Sequence, residues 1–403
     1  DIIVASPGID LVKEGIAELI ADNCQVIGDV ELFCLVNNSR IKPMSMLAVT
    51  GSNGKSTVVS LLAYLANCIG VNAVLAGNIG EPILDLLQFD QAGEPQQSNL
   101  PDTVIVELSS FQLETLSSMQ AIAATVLNLS DDHLDRHKTL ANYQAIKQRI
   151  YPQAKIAVVS REDQASNTQV KDQRTISFGL SKPQQDHFGL KDIDNQQIIM
   201  FGEQALISIS ELPLAGMHNA LNYMAALALG YSAGWSLSAM KENLSGFTGL
   251  PHRCQRVMSH DDIQWINDSK ATNVGATIAA INGLAQTLAS QSSTVQVESK
   301  QRLILIAGGD GKGADFTPLI KPLTQHVSQV ITLGKDGDKI GALVENSCKV
   351  VSLIEAVQVA KTIANTGDIV LLSPACASLD MFKNFSERGE QFITAITQLS
   401  EAS

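Results

Sequence analysis

Seven consecutive residues, Gly51-Ser52-Asn53-Gly54-Lys55-Ser56-Thr57, put turn-forming glycines, a lysine and hydroxyls between an apolar run at 46–50 and a long apolar stretch. A glycine loop that opens a helix offers successive backbone N–H groups and the positive end of the helix dipole to a polyphosphate. Its lysine reaches the terminal phosphates and its Ser/Thr hydroxyl binds Mg²⁺. The full spacing G-x-x-x-x-G-K-[ST] would need glycine at position 49, where Val49 stands, so the loop is a shorter version of that motif. A glycine turn before an ordinary helix would look similar, but the strand pattern before it and the apolar helix after it favour nucleotide phosphate. The guanine-reading N-K-x-D is missing. From this loop alone an NTPase and a kinase both stay open.

Glu107 closes an apolar run in IVELSSFQLE (105–114), and His133 lies just past the next run in LNLSDDHLDRH (127–137). Open parallel sheets bind ligands at their strand C-termini, so Glu107, His133 and the Lys55–Ser56 turn could converge. A carboxylate there is an ordinary Mg²⁺ ligand, whereas imidazole is an unusual one for a hard cation. A lone His at a strand end is as readily a cap. Lys147, in NYQAIKQRIY (142–151), falls on an amphipathic helical pattern whose spacing alone makes it a solvated lysine. Asn219 and Asn222 stand three apart at a helix start, where Asn is commonly a cap. Later, WINDSKATNVGAT (265–277) carries Asp268, Ser269, Lys270, Thr272 and Asn273 in one turn. AGGDGKGADF (307–316) repeats the device with Lys312, and LLSPACASLDMFKNFSERG (371–389) makes a third. Three such turns on one sheet edge imply a second ligand surface, hence a two-substrate reaction completed by closure.

Short apolar runs alternating with amphipathic helical stretches predict α/β units with parallel sheets. Predicted strands include 46–50, 73–75, 103–107, 124–128 and 156–159, then 263–267, 303–307, 329–333, 349–352 and 369–373. Predicted helices include 56–69, 142–150, 217–233 and 354–364. Residues 174–212, with short alternating runs from Thr175–Phe178 onward, predict a small antiparallel patch. Residues 88–102 and 289–301 read as surface excursions, and FTGLPHR (247–253) as an interdomain hinge. The chain of 403 residues is 45% hydrophobic, enough for two or three domains, and its net charge of -13 argues against a nucleic-acid binder,. No apolar run approaches the roughly 20 residues that cross a bilayer. The six scattered cysteines suit a reducing cytosol,. Opening on DIIVASPGI without an initiator Met, the chain is expected to follow a missing N-terminal part.

Eleven motifs in order, among them TGSNGKST, GNIG, ELSSFQLE, DDHLDRH, HNALN, GLPHR, NDSKATN, GGDGK and SPACASLDMFKNFSERG, make the chain resemble the Mur ligase family. Within it, the resemblance is to the branch that adds D-glutamate to UDP-N-acetylmuramoyl-L-alanine. It implies three domains: a remnant of an N-terminal Rossmann-like UDP-substrate domain (1–38), a central ATP-binding P-loop domain (39–249) and a C-terminal Rossmann-like D-glutamate domain (250–403). It implies ATP, two Mg²⁺ ions and an acyl-phosphate intermediate, in a cytoplasmic monomer of peptidoglycan synthesis that needs neither nucleic acid nor membrane. By the same resemblance Gly51, Ser52, Asn53, Gly54, Lys55, Ser56 and Thr57 hold phosphates. Ser56, Glu107, His133 and a carbamylated Lys147 serve the metals, and Lys147 thereby loses its surface assignment. Asn222, Arg253 and Asp268 match nucleotide contacts, Arg253 suiting the transferred phosphate. Asn78 and Ser109 match the substrate side, and Lys270, Thr272, Lys312, Ser378, Leu379 and Phe385 the D-glutamate pocket. Lys55, His133, Lys147 and Arg253 are the implied catalytic set. The sister ligase that adds a diamino acid is expected to carry D-N-P-R, which is absent here. The SPACASLD segment likewise argues against a folylpolyglutamate synthase.

Overall fold

The computed structural model describes residues 1–403 except 12, 14–17, 19, 21–23, 88–99, 131–133, 215, 260–261, 293–300 and 402–403. Two compact units emerge: Asp1–Pro213 with Asn219–Thr248, and Leu214–His218 with Gly249–Ser403. Both are mixed α/β.

In the first unit, β1 (Ile2–Val4) and β2 (Gln25–Ile27) pair in parallel. The main sheet contains β3 (Ser45–Thr50), β4 (Ala73–Gly77), β5 (Thr103–Glu107), β6 (Ala121–Val126), β7 (Ala154–Ser160) and β8 (Arg174–Phe178). Their order is β4-β5-β3-β6-β7-β8, and every pairing is parallel. Parallel strands covered on both faces need near-continuous apolar runs, and β5 accordingly buries all five residues. One face packs Met46, Ala48, Val104, Val106, Ala124 and Val126 with Phe33, Leu113 and Tyr151. Helix Lys55–Cys68 buries Val58, Val59, Leu61, Leu62 and Leu65. Each such side chain contributes about 1.5–3 kcal/mol relative to exposure. The helix stops at Gly70 (φ 74°), where Val71 N–H turns back to Ala66 O (2.8 Å),.

Helix Asp29–Asn38 is tied down by a buried charge. Glu31 accepts from Ser117 N–H (2.8 Å) and Oγ (2.9 Å), and from Ser118 N–H (2.9 Å) and Oγ (2.5 Å). Burial pushes its carboxyl up, but these four donors outweigh burial and hold it below its ordinary 4.5,.

The antiparallel patch expected across 174–212 begins later. Residues 174–178 form β8, the parallel edge of the main sheet, while β9 (Phe188–Ile193), β10 (Gln196–Phe201) and β11 (Gln204–Ser208) form a separate antiparallel sheet ordered β11-β10-β9. Period-two alternation marks a half-buried strand but carries no information on direction.

The second unit holds β12 (Gln255–Val257), β13 (Gln264–Asn267), β14 (Leu303–Gly308), β15 (Val327–Leu333), β16 (Ser347–Lys349) and β17 (Ile369–Leu372) in the order β12-β13-β17-β14-β15-β16. Only the β12–β13 pair is antiparallel. The strand expected at 349–352 ends at Lys349, because Ser352 is the N-cap of helix Leu353–Ile363 and accepts Glu355 N–H (3.2 Å). No helix among the described residues is long and apolar enough to cross a membrane.

Candidate active site

With β3 at the centre, three strand ends lie side by side: Val49 pairs with Glu107 on β5, and Thr50 with Val126 on β6. The loop leaving β3 needs glycine. Gly51 (φ 147°) and Gly54 (φ 85°) lie where L side chains are strained,. A Cβ on Gly54 would stand 2.5 Å from Asn222 Oδ1.

This loop is fastened to the segment after β6. Ser52 N–H donates to Asn128 O (2.9 Å), Asn53 N–H to Asn128 Oδ1 (2.9 Å), and Asn128 Nδ2 to Asn53 O (3.0 Å). Ser52 Oγ accepts Ser130 N–H (2.9 Å) and lies 3.2 Å from the Tyr143 hydroxyl. The amides of Ser52 and Asn53 are therefore engaged within the protein. Lys55 Nζ donates to Gly51 O (2.7 Å) and Ser52 O (2.8 Å) of its own loop. Ser56 and Thr57 are buried at the helix start.

Glu107 is 1% exposed. Its Oε1 accepts Asn78 Nδ2 (2.7 Å), whose N–H donates to Glu107 O (2.9 Å). Its Oε2 is buried without a hydrogen-bond donor. A buried carboxylate oxygen in that position is costly until a cation meets it. Ser109 caps helix Ser110–Thr115, its Oγ accepting Gln112 N–H (3.2 Å) while Gln112 Oε1 accepts Ser109 N–H (3.0 Å). Asn222 is buried and donates to Asn219 Oδ1 (3.2 Å).

Lys147 is the largest departure from helical spacing. It is 1% exposed, and its Nζ donates to Thr50 Oγ1 (3.0 Å) and Gly51 O (3.0 Å) at 4.8 Å over the Tyr143 ring. Tyr143 lies four residues earlier on the same helix face, so its burial carries the lysine inward. Thr50 Oγ1 in turn donates to Leu108 O (2.7 Å). His133 lies outside the described residues.

In the second unit, Asp268 Oδ1 accepts Cys254 N–H (3.2 Å) and Oδ2 accepts the Ser373 hydroxyl (2.9 Å). Burial pushes its carboxyl up to about 7, against the downward pull of Ser373, Cys254 N–H and the Arg253 charge,. Lys270 Nζ stands 4.0 Å over the Phe385 ring, a cation–π contact. Thr272 N–H donates to Lys270 O (2.8 Å). Lys312 is exposed in a left-handed turn (φ 51°), its N–H on Asp310 Oδ1 (3.0 Å). Ser378 is buried, whereas the neighbouring Leu379 is 69% exposed.

Arg388 was not singled out by sequence. It is buried; its Nε donates to Ser269 Oγ (3.0 Å) and its Nη2 to Ser269 O (2.8 Å) and Cys376 O (3.2 Å). It thereby ties the Asp268–Lys270 turn to the turn after β17.

Two family models match the chain: the Mur ligase middle domain over residues 49–230, and the Mur ligase, glutamate ligase domain over 252–376. A UDP-N-acetylmuramoylalanine–D-glutamate ligase from Colwellia psychrerythraea is 74% identical over 98% of this chain and 82% of the relative. The enzyme of the same name from Shewanella violacea is 46% identical over 97% of this chain and 80% of its own length. Among solved structures, UDP-N-acetylmuramate-alanine ligase from Thermotoga maritima shares the fold, with TM-score 0.65 and 18% identity over 99% of this chain and 85% of that one. The chain, with its lysine-bearing loop and both family domains, belongs to the Mur ligase family.

Proposed function

We propose that this chain is an ATP-dependent amide ligase that joins D-glutamate to UDP-N-acetylmuramoyl-L-alanine, releasing ADP and phosphate, as a cytoplasmic monomer of peptidoglycan precursor synthesis. The observation that carries this reading is the 74% identity, along nearly the whole chain, to a ligase of that name. Residues 39–249 would handle the nucleotide and 250–403 the incoming amino acid.

A carboxylate is a poor electrophile because its negative charge repels a nucleophile. Phosphoryl transfer from ATP to the alanyl carboxylate supplies a leaving group as an acyl phosphate. The D-glutamate amine then attacks the acyl carbon: the C–N bond forms, the C–O bond to phosphate breaks, and the amine sheds a proton. Two anions must first meet, so fixed cations and N–H donors are needed where charge develops. Lys55 would leave its loop carbonyls for the β- and γ-phosphates, and Arg253 would offset the charge of the transferred group. Asn222 and Asp268 would contact nucleotide, and Asn78 and Ser109 the UDP-substrate. Lys270 and Lys312 would pair with the two carboxylates of D-glutamate, with Thr272, Ser378, Leu379 and Phe385 shaping its pocket.

Ser56, Glu107, His133 and Lys147 would hold two Mg²⁺ ions, which supply charge neutralisation to the phosphates. The unpartnered Glu107 Oε2 supports this fit. Mg²⁺ usually takes one or two carboxylates and draws its other ligands from substrate phosphates and water. Addition of CO₂ to the Lys147 amine would convert a buried cation into an oxygen-donor anion beside the loop. The test is product analysis. Phosphate release should require both UDP-N-acetylmuramoyl-L-alanine and D-glutamate and yield an amide; release indifferent to D-glutamate, or a stable phosphorylated product, refutes the assignment.

A further inference from the structure

Beside these groups lies a buried cluster with no role so far. His137 is 1% exposed. Its Nε2 lies 2.9 Å from Ser110 Oγ and its Nδ1 3.6 Å from Glu114 Oε1. Its ring centroid is 5.6 Å from that of Phe111 and 5.3 Å from that of Tyr143. Arg136 holds Glu114 from the far side through Nε (3.1 Å) and Nη2, and its guanidinium covers Phe111 at 4.7 Å. Ser, His and an acid in sequence resemble a nucleophile and its base, but Ser110 is only 3% exposed. Its hydroxyl is taken up by the His137 ring. The cluster holds something in place.

Followed from atom to atom, the contacts close a ring. Lys147 Nζ reaches Thr50 Oγ1, which reaches the carbonyl of Leu108, next to Glu107. Two residues further on, Ser110 meets His137, and His137 packs on Tyr143. Tyr143 lies under Lys147 Nζ and puts its hydroxyl 3.2 Å from Ser52 Oγ in the phosphate loop. Two separate elements thus carry Glu107 and Lys147: the end of β5 and helix Leu140–Gln148. The Thr50 hydroxyl and the His137 ring both join them around this ring.

We infer that His137 is a positioning residue: by clamping the first turn of helix Ser110–Thr115 against Tyr143, it fixes the spacing between the Glu107 carboxylate and the Lys147 amine. The inference rests on the Mg²⁺ roles proposed above. Two neighbouring cations, one held by Glu107 and the other by Lys147, bind well side by side only if the separation of those ligands is set beforehand. Outer groups that orient ligands are typically worth 10–100-fold in metal affinity.

Three variants test it: His137→Ala, His137→Gln and Ser110→Ala, compared with wild type and Glu107→Gln. Mn²⁺ serves as the probe metal and its binding is titrated by electron paramagnetic resonance with a non-hydrolysable ATP analogue, well below each thermal midpoint. Carbamate on Lys147 is counted by ¹³C NMR after incubation with labelled bicarbonate. His137→Ala and Ser110→Ala should weaken Mn²⁺ binding about 10-fold or more. His137→Gln, whose amide can still meet Ser110 Oγ, should recover most of that loss, which a purely bulk-packing role would not predict. Ser110→Ala removes no ring volume and decides the matter if alanine at 137 does not fold. Wild-type Mn²⁺ affinity with unchanged carbamate in both alanine variants overturns the inference. Should wild type bind Mn²⁺ no better than Glu107→Gln, the metal site itself is wrong and the inference falls with it.

Discussion

Gly54 and Gly70 share a left-handed backbone, with φ of 85° and 74°, but differ in surroundings. A Cβ on Gly70 meets nothing within 4 Å, whereas one on Gly54 meets Asn222 Oδ1 at 2.5 Å and Leu127 Cδ1 at 3.3 Å. Replacing either by alanine incurs the left-handed cost of about 1–2 kcal/mol. At Gly70 little else changes. At Gly54 the neighbour is the carbonyl of a short buried side chain whose amide already donates to Asn219 Oδ1 at 3.2 Å. Moving it risks that hydrogen bond, about 0.5–1.5 kcal/mol, and crowding adds about 1–3 kcal/mol. Gly54→Ala should therefore be destabilised by at least about 1.5 kcal/mol more than Gly70→Ala, roughly 3–6 °C in the thermal transition of this unit. ATP affinity should fall only in Gly54→Ala, because Lys55 follows directly. Differential scanning calorimetry and equilibrium ATP binding on the pair check this. Equal melting shifts and equal affinities would refute the crowding argument.

Lys55→Ala should lose about 10²-fold or more in kcat/KM, as for removal of a fixed donor at a developing anion; near-wild-type turnover would count against the phosphate loop. Glu31→Gln should cost about 1–3 kcal/mol at neutral pH, since four donors lose a charged acceptor. Because the folded carboxyl titrates below 4.5, the wild-type advantage exists above that pH and vanishes as pH falls through the lower folded value,; a gap constant down to pH 3 in denaturant titrations contradicts it. Asp268 behaves oppositely. Its folded value of about 7 exceeds the ordinary 3.8, so its contribution is lost as pH rises through that window,. The melting temperature of Asp268→Asn relative to wild type, without nucleotide, should climb from pH 4 to pH 8; a flat difference rules out the buried carboxyl. Added bicarbonate should raise turnover of wild type, and an insensitive enzyme would speak against the Lys147 carbamate.

Most of the sheet was legible because its strands are buried on both faces and read as unbroken apolar runs. The loop at 51–57 was equally plain, since glycines with Lys and hydroxyls serve few other purposes. Strand direction at 174–178 was not legible, as alternation is blind to it. For Lys147, helical periodicity alone pointed to the surface because it ranks a lysine by its charge, and only the family resemblance moved it inward; the overlooked local signal was Tyr143 on the same face. Glu31 and Arg388 escaped for a different reason. Most of their partners lie 86 to 119 residues away, as with Ser117 and Ser269, and no local pattern encodes such pairs.

The docking of Lys55 on the carbonyls of Gly51 and Ser52 bears on how this protein can change over time. Functional lysines often sit in unfavourable surroundings, so discarding them yields a sturdier but inert molecule. Here the ammonium completes the resting loop, and its removal would take that donor from the Ser52 carbonyl and leave the Gly51 carbonyl to Lys147 alone. With the role proposed for Lys55, robustness and activity pull in the same direction at this position, and a drifting lineage gains nothing by giving the residue up.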